Sequence, residues 1–159
     1  MSLDFISSVT TVFRVGELLD RANQHLAALF AQTCVADREA DSLVTEPLSC
    51  IITVGDDAWV ELSTVPDYEG SWSMDDPPED YGHWVFFGAR RDSASSLVSL
   101  LLAISAAEVG DGVLIDDANM LRSGRVPSIE GVLSRLRTVA GEHSSLEAAG
   151  EALAWSDAP

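Results

Sequence analysis

Along the chain the spacing of apolar residues changes period several times, and each change predicts an element. Ser8 to Phe13 (SVTTVF) is rich in β-branched residues and predicts a first strand. From Gly16 to Gln32 the spacing becomes helical. Leu18, Leu19, Ala22, Leu26, Leu29 and Phe30 share one face, and Glu17, Asp20, Arg21, Asn23 and Gln24 share the other. Val35 to Pro47 is polar and acidic and predicts a connection. Ser49–Val54 (SCIITV) and Ala58–Val65 (AWVELSTV) are strand-like and are joined by Gly55-Asp56-Asp57, a hairpin signal. Within the second of them Trp59, Glu61 and Ser63 alternate with Val60, Leu62 and Thr64, so one face should be apolar.

Pro66 to Gly82 predicts a long acidic loop carrying aromatic residues. His83–Ala89 (HWVFFGA) then predicts a strand buried on both faces. Asp92 or Ser93 can cap a helix running to about Val109, apolar nearly all the way round and therefore central. Gly110 is expected to be its left-handed C-terminal cap. Asp111-Gly112 turns the chain into a short strand, Val113–Ile115, ending at Asp116-Asp117. Asn119 to Val126 is irregular. A helix starting at Pro127 or Ser128 should stop at Gly141. Ser144-Ser145-Leu146-Glu147 matches a capping box for a terminal helix from Ser145 to about Trp155. The order β-α-β-β-β-α-β-α-α implies a single α+β domain over residues 1–159, with a mainly antiparallel sheet of about four or five strands and helices packed on one face.

Composition narrows the function classes. The chain has 159 residues, 47% of them hydrophobic, with 26 acidic and 9 basic residues and a net charge of −17. Every basic residue is an arginine. So much apolar content argues against a disordered acidic tail. The charge opposes nucleic acid and anionic membranes, whose recognition needs clustered Lys and Arg. The longest strongly apolar run, Leu97 to Ala107, is too short to cross a bilayer, and the N-terminus lacks the layout of a signal peptide. A cytoplasmic location is expected. Cys34 and Cys50 fit no zinc spacing and no disulfide framework, and are read as buried thiols.

Asp116-Asp117 and Asp56-Asp57 are the carboxylate pairs that a hard cation such as Mg²⁺ would want. Asp also favours turns and strand ends, where its side chain bonds the backbone. No metal or cofactor is assigned, and Asp116 and Asp117 stand as the candidate ligands. His25, His83 and His143 read as boundary residues, since no nucleophile elbow accompanies them. Gly110-Asp111-Gly112 and Ser123-Gly124-Arg125 lack any nucleotide-binding spacing and read as turns.

The charge is not spread evenly. Between Glu39 and Ala89 lie twelve acids and no arginine, so this stretch carries −12 and the rest of the chain −5. The same stretch carries Trp59, Tyr68, Trp72, Tyr81 and Trp84. An acidic loop studded with Trp and Tyr suits a surface for a cationic protein, with aromatic anchors and charge steering. The expected partner-binding residues are Asp67, Tyr68, Glu69, Trp72, Asp75, Asp76, Glu79, Asp80 and Tyr81. A solvated acidic face that keeps the protein soluble, its aromatics folded onto the core, is the competing reading. The function expected is a binding protein without enzymatic activity, immunity- or antitoxin-like or chaperone-like. Its rivals are a small carboxylate- or metal-dependent enzyme and a homo-oligomeric domain in which a second copy covers the apolar helix.

Overall fold

The computed structural model describes residues 4–44, 48–64, 83–116 and 118–153. Ten elements follow one another: β1 (Asp4–Val9), α1 (Val15–Phe30), β2 (Val35–Ala36), β3 (Ser49–Val54), β4 (Ala58–Thr64), β5 (His83–Ala89), α2 (Ser93–Val109), β6 (Val113–Ile115), α3 (Ile129–Glu142) and α4 (Leu146–Ala152). The strands form one six-stranded open sheet in the order β2-β3-β4-β5-β1-β6, antiparallel at every pairing. The fold is α+β, as the element pattern predicts.

Register separates the two faces of the sheet. Val54 opposite Ala58, Ile52 opposite Val60 and Cys50 opposite Leu62 point inward, and Leu62 meets Phe87, which in turn meets Phe5. These residues are buried in one cluster with the apolar faces of all four helices. α2 is the centre of that core. Every residue from Ala94 to Ala107 is buried, including four serines. A buried hydroxyl needs a partner, and each has one. Ser95 Oγ donates to Asp92, Ser96 Oγ to the Asp92 carbonyl, Ser99 Oγ to the Phe87 carbonyl and Ser105 Oγ to the Leu101 carbonyl. The helix is therefore covered within one chain, and its all-round apolarity calls for no second copy.

Helix ends follow from local chemistry. Glu17 reaches back to accept from the Arg14 N–H at the start of α1. α1 ends at Phe30, two residues before the expected Gln32, because Ala31 turns left-handed at φ 54°. Asp92 caps α2, accepting from the Ser95 N–H at 2.8 Å. Its carboxyl is held below the usual range. Burial pushes it up, but bonds from Arg90 and from the Ser95 N–H and hydroxyl outweigh that.

Five further expectations need correction. β1 spans Asp4–Val9, earlier than Ser8–Phe13. A two-residue strand, β2, lies in the stretch expected to be only a connection, so the sheet has six strands. Gly110 is not left-handed; its φ is −93°, and Asp111 takes the positive φ of 50°. α3 runs through Gly141 to Glu142. The cap of α4 is Ser145 accepting from the Ala148 N–H, which moves the frame by one and leaves Glu147 out of a capping box. The expected extension of that helix to Trp155 lies outside the described residues.

The outer edge of β3 is closed by more than β2. Asp37 takes both polar groups of Ile51: its N–H donates to the Ile51 carbonyl, and its carboxylate accepts from the Ile51 N–H at 2.8 Å. Arg38 Nε donates to the Ser49 carbonyl at 2.9 Å. An open edge offers unpaired backbone groups to other chains, and here the Asp37 backbone and carboxylate and the Arg38 side chain occupy them.

Across the core, α1 is tied to the end of α2 by an ion cluster. Arg21 makes two bonds to Glu108, at 2.6 and 3.1 Å, and His25 Nε2 lies 2.7 Å from the same carboxylate. Burial pushes the Glu108 carboxyl up, but the bonds from His25 and Arg21 overcome it and hold the pKa at about 2, against an ordinary 4.5. A depressed carboxyl pKa contributes stability that is complete above pH 4.5 and is lost as the pH falls toward 2. Arg21 is 39% exposed, so solvent screening cuts the contribution to about 1–2 kcal/mol. Glu108→Gln should therefore lower stability at pH 7 by that amount in urea titrations. The gap between variant and parent should close as the pH is lowered below 4.5; a constant gap would contradict the assignment.

Candidate functional site

The expected partner-binding residues Asp67, Tyr68, Glu69, Trp72, Asp75, Asp76, Glu79, Asp80 and Tyr81 lie outside the described residues, as does Asp117. The acidic stretch is nevertheless anchored at both ends by described strands. β4 leads into the 65–82 segment at Thr64 and β5 leaves it at His83, two neighbouring antiparallel strands.

What the described part adds is the outer face of the β3–β4 hairpin. Alternation sends Val60 and Leu62 inward and therefore Trp59, Glu61 and Ser63 outward. Among the described residues the large hydrophobic side chains that remain exposed are Val12, Val35, Leu43, Trp59 and Val126, so Trp59 is the aromatic one, at 37%. Glu61 is exposed beside it, with Asp56 and Asp57 exposed in the turn that opens the same strand. Opposite Trp59 and Glu61 on β3 stand the half-buried Thr53 and Ile51. Toward β5, β1 and β6 the same face turns apolar and closed. Trp84, Ile6 and Ile115 are buried there and the half-buried Phe86 and Val113 pack against them.

How the acids are used differs between this stretch and the rest. Outside it, six of the described carboxylates are built into the structure, while Asp20, Asp111, Glu142, Glu147 and Glu151 are exposed without such a role. Glu17 bonds the start of α1, Asp37 the edge of β3, Asp92 caps α2, Glu108 binds Arg21, Asp116 binds two amides, and Glu130 pairs with Arg137 at 3.6 Å. Inside it, Glu39, Asp41, Asp56, Asp57 and Glu61 are all exposed. Among the described residues none of these five carboxylates enters an ion pair or a hydrogen bond; Asp41 takes part only through its backbone carbonyl, which accepts from Arg14 Nη1 at 2.7 Å.

The other candidates resolve into structural roles. Asp116 is fully buried, and its two carboxylate oxygens accept from the Met120 and Leu121 N–H groups at 2.8 and 2.7 Å. It winds the loop after β6, whose Asn119 and Gly124 are joined by a further bond. Among the described residues no group of three His, Cys, Asp or Glu side chains is placed to hold a metal. The histidines are dispersed: His25 in the Glu108 cluster, His83 at the start of β5, His143 at the end of α3. Cys34 and Cys50 are buried free thiols, and burial pushes each up to about 11, so neither is a ready nucleophile. Gly110-Asp111-Gly112 is a turn whose carbonyls receive Thr10 and Thr11, with no array of N–H groups aimed outward. An open groove of about 290 Å³ between α1 and α3 is lined by Ala28, Leu29, Arg137, Ala140 and Gly141, and offers one charged group and no acid–base pair.

Among the described residues no helix is long and apolar enough to cross a membrane. Compared with known proteins, the chain matches no family model, no curated protein and no solved structure. Its reading rests on its own chemistry.

Proposed function

We propose that the chain is a binding protein without enzymatic activity that holds a cationic protein partner against the acidic, aromatic-bearing stretch between Glu39 and Ala89. An immunity- or antitoxin-like inhibitor of a basic protein fits this chemistry, and so does a chaperone-like holder of a basic client. One observation carries the reading: every described carboxylate of this stretch is exposed and unused by the fold, whereas six of those elsewhere, Glu17, Asp37, Asp92, Glu108, Asp116 and Glu130, cap, pair or plug. Carboxylates that contribute nothing to folding add self-repulsion to a chain already at −17. A cationic partner relieves that repulsion, and fields from a one-signed surface speed its encounter. The carboxylate enzyme reading gains nothing from Asp116, whose oxygens are committed to the loop.

The test is a low-salt capture of a basic partner followed by titration of the identified protein. Affinity should fall at least about tenfold between low and roughly 0.5 M salt, as screening of exposed charges requires. It should fall again when Asp75, Asp76, Glu79 and Asp80 are changed together to Asn or Gln, and with Trp72→Ala. Recovery of no partner at low salt, or an affinity indifferent to salt and to these changes, would remove the reading in favour of a merely solubilising face.

A further inference from the structure

The geometry points to the outer face of the β3–β4 hairpin as the place where the partner's cationic side chains dock, with Trp59 as the platform and Glu61 as the counter-charge. This rests on the cationic-partner reading above and specifies its contact surface.

Trp59 is held rigidly. Its N–H donates to Ser95 Oγ at 2.9 Å and its carbonyl accepts from the Arg90 N–H at 3.2 Å, so its backbone is fixed to the start of α2 and the end of β5. It lies between Thr53 on β3 and the β5 terminus, on a strand bonded on both sides. A large exposed indole costs hydration without contributing to the core, and a rigid aromatic loses little entropy when a ligand covers it. Residues 59 and 61 share a face, with Cα atoms about 6.5–7 Å apart. With that spacing on one face, a cation stacked on the indole is within side-chain reach of the Glu61 carboxylate.

The local charges leave the position open for an incoming cation. The nearest arginine side chain by register is Arg90, and its Nε is turned to Asp92 at 2.7 Å. Glu61, Asp56 and Asp57 then set the sign of the face. Arginine is favoured over lysine because its planar guanidinium both stacks on a ring and bonds a carboxylate. The occupant is therefore an arginine-bearing segment of the partner, lying across β3 and β4.

The ¹⁵N-labelled full chain titrated with nona-arginine, and separately with nona-lysine, tests this. At low salt nona-arginine should shift the Trp59 indole N–H signal, identified by its loss in Trp59→Phe, together with amides of residues 51–63. Trp59→Leu and Glu61→Gln should each weaken nona-arginine binding roughly three- to fivefold, with spectra otherwise showing an intact fold. Nona-lysine should bind more weakly than nona-arginine. Salt-sensitive binding that shifts only residues 65–82, and is unchanged in both variants, would overturn this inference and leave the parent reading standing. No binding of either peptide at low salt would overturn both. A concentration-dependent shift of the same indole without peptide, with a dimeric mass by light scattering, would assign the face to a second copy and overturn the inference.

Discussion

Gly112→Ala should destabilise the protein by about 3 kcal/mol or more, near the upper end of what overpacking costs. A Cβ at Gly112 would run into the Ser8 carbonyl oxygen and stand 2.7 Å from Val9 Cα and 2.8 Å from the Ser8 carbonyl carbon. All three atoms are backbone of β1, which β5 and β6 clamp from both sides, so nothing flexible can give way. For a chain of this size the melting temperature should drop by about 6–12 °C. Gly141→Ala serves as the control. Its Cβ would meet nothing within 4 Å in the helix α3, and helix propensity should make that change neutral or stabilising by up to about 1 kcal/mol. Equal effects at the two positions would mean that the β1–β6 junction can slide.

Asp116→Ala should cost a similar amount, about 3 kcal/mol. It removes two hydrogen bonds to a charged acceptor and leaves the Met120 and Leu121 N–H groups without their partner where Leu121 is buried. Urea titration should show a lower midpoint with an unchanged slope, the sign of lost stability rather than altered compactness. Asp116→Asn, which keeps one acceptor oxygen, should fall between parent and alanine variant. Melting of the parent with and without Mg²⁺, Mn²⁺ or Ca²⁺ should give one temperature, because both oxygens are already committed. A metal-dependent shift that disappears in Asp116→Asn would restore the metal-site alternative.

The elements written in long, clean periods were legible from the residues alone: α1 from its stripe Leu18 to Phe30, the β3–β4 hairpin from its alternation and Gly-Asp turn, and α2 from its continuous apolarity. β1 was not, for a physical reason. Its inward positions are Phe5, Ser7 and Val9, and Ser7 spends its hydroxyl on the Ala103 carbonyl of α2 at 2.6 Å. A serine that completes a buried hydrogen bond is at home in a core, yet it interrupts the hydrophobic pattern and shifts attention to the β-branched run after it. Gly110 misled in a related way. A glycine after a helix usually signals positive φ, but here it is needed because a Cβ would stand 2.6 Å from Val9 Cβ. Close approach between segments a hundred residues apart has no local signature. Likewise β2 exists only because Val35 and Ala36 find Thr53 and Ile52.

The candidate site was half legible. Charge segregation and the aromatic content of residues 39–89 are properties of the string itself. Alternation even assigns Trp59 and Glu61 to the face opposite the core. What alternation cannot say is whether another layer covers that face, since Trp84 sits on the same side of the sheet on the neighbouring strand and is only 9% exposed. Burial is decided by neighbours distant in sequence, so an open tryptophan and a covered one look alike until the fold is assembled.

The plugging of β3 by Asp37 and Arg38 restricts how any visitor can be received. Many proteins take a peptide by letting it join the sheet as one more strand, gaining affinity from main-chain bonds that are indifferent to side-chain identity. Here Ile51 has already spent both of its main-chain groups and Ser49 its carbonyl at the outer margin of β3, and only the two residues of β2 lie beyond. A guest at this hairpin is left to bind across the strands through its side chains, so its recognition must depend on which residues it carries rather than on its being extended.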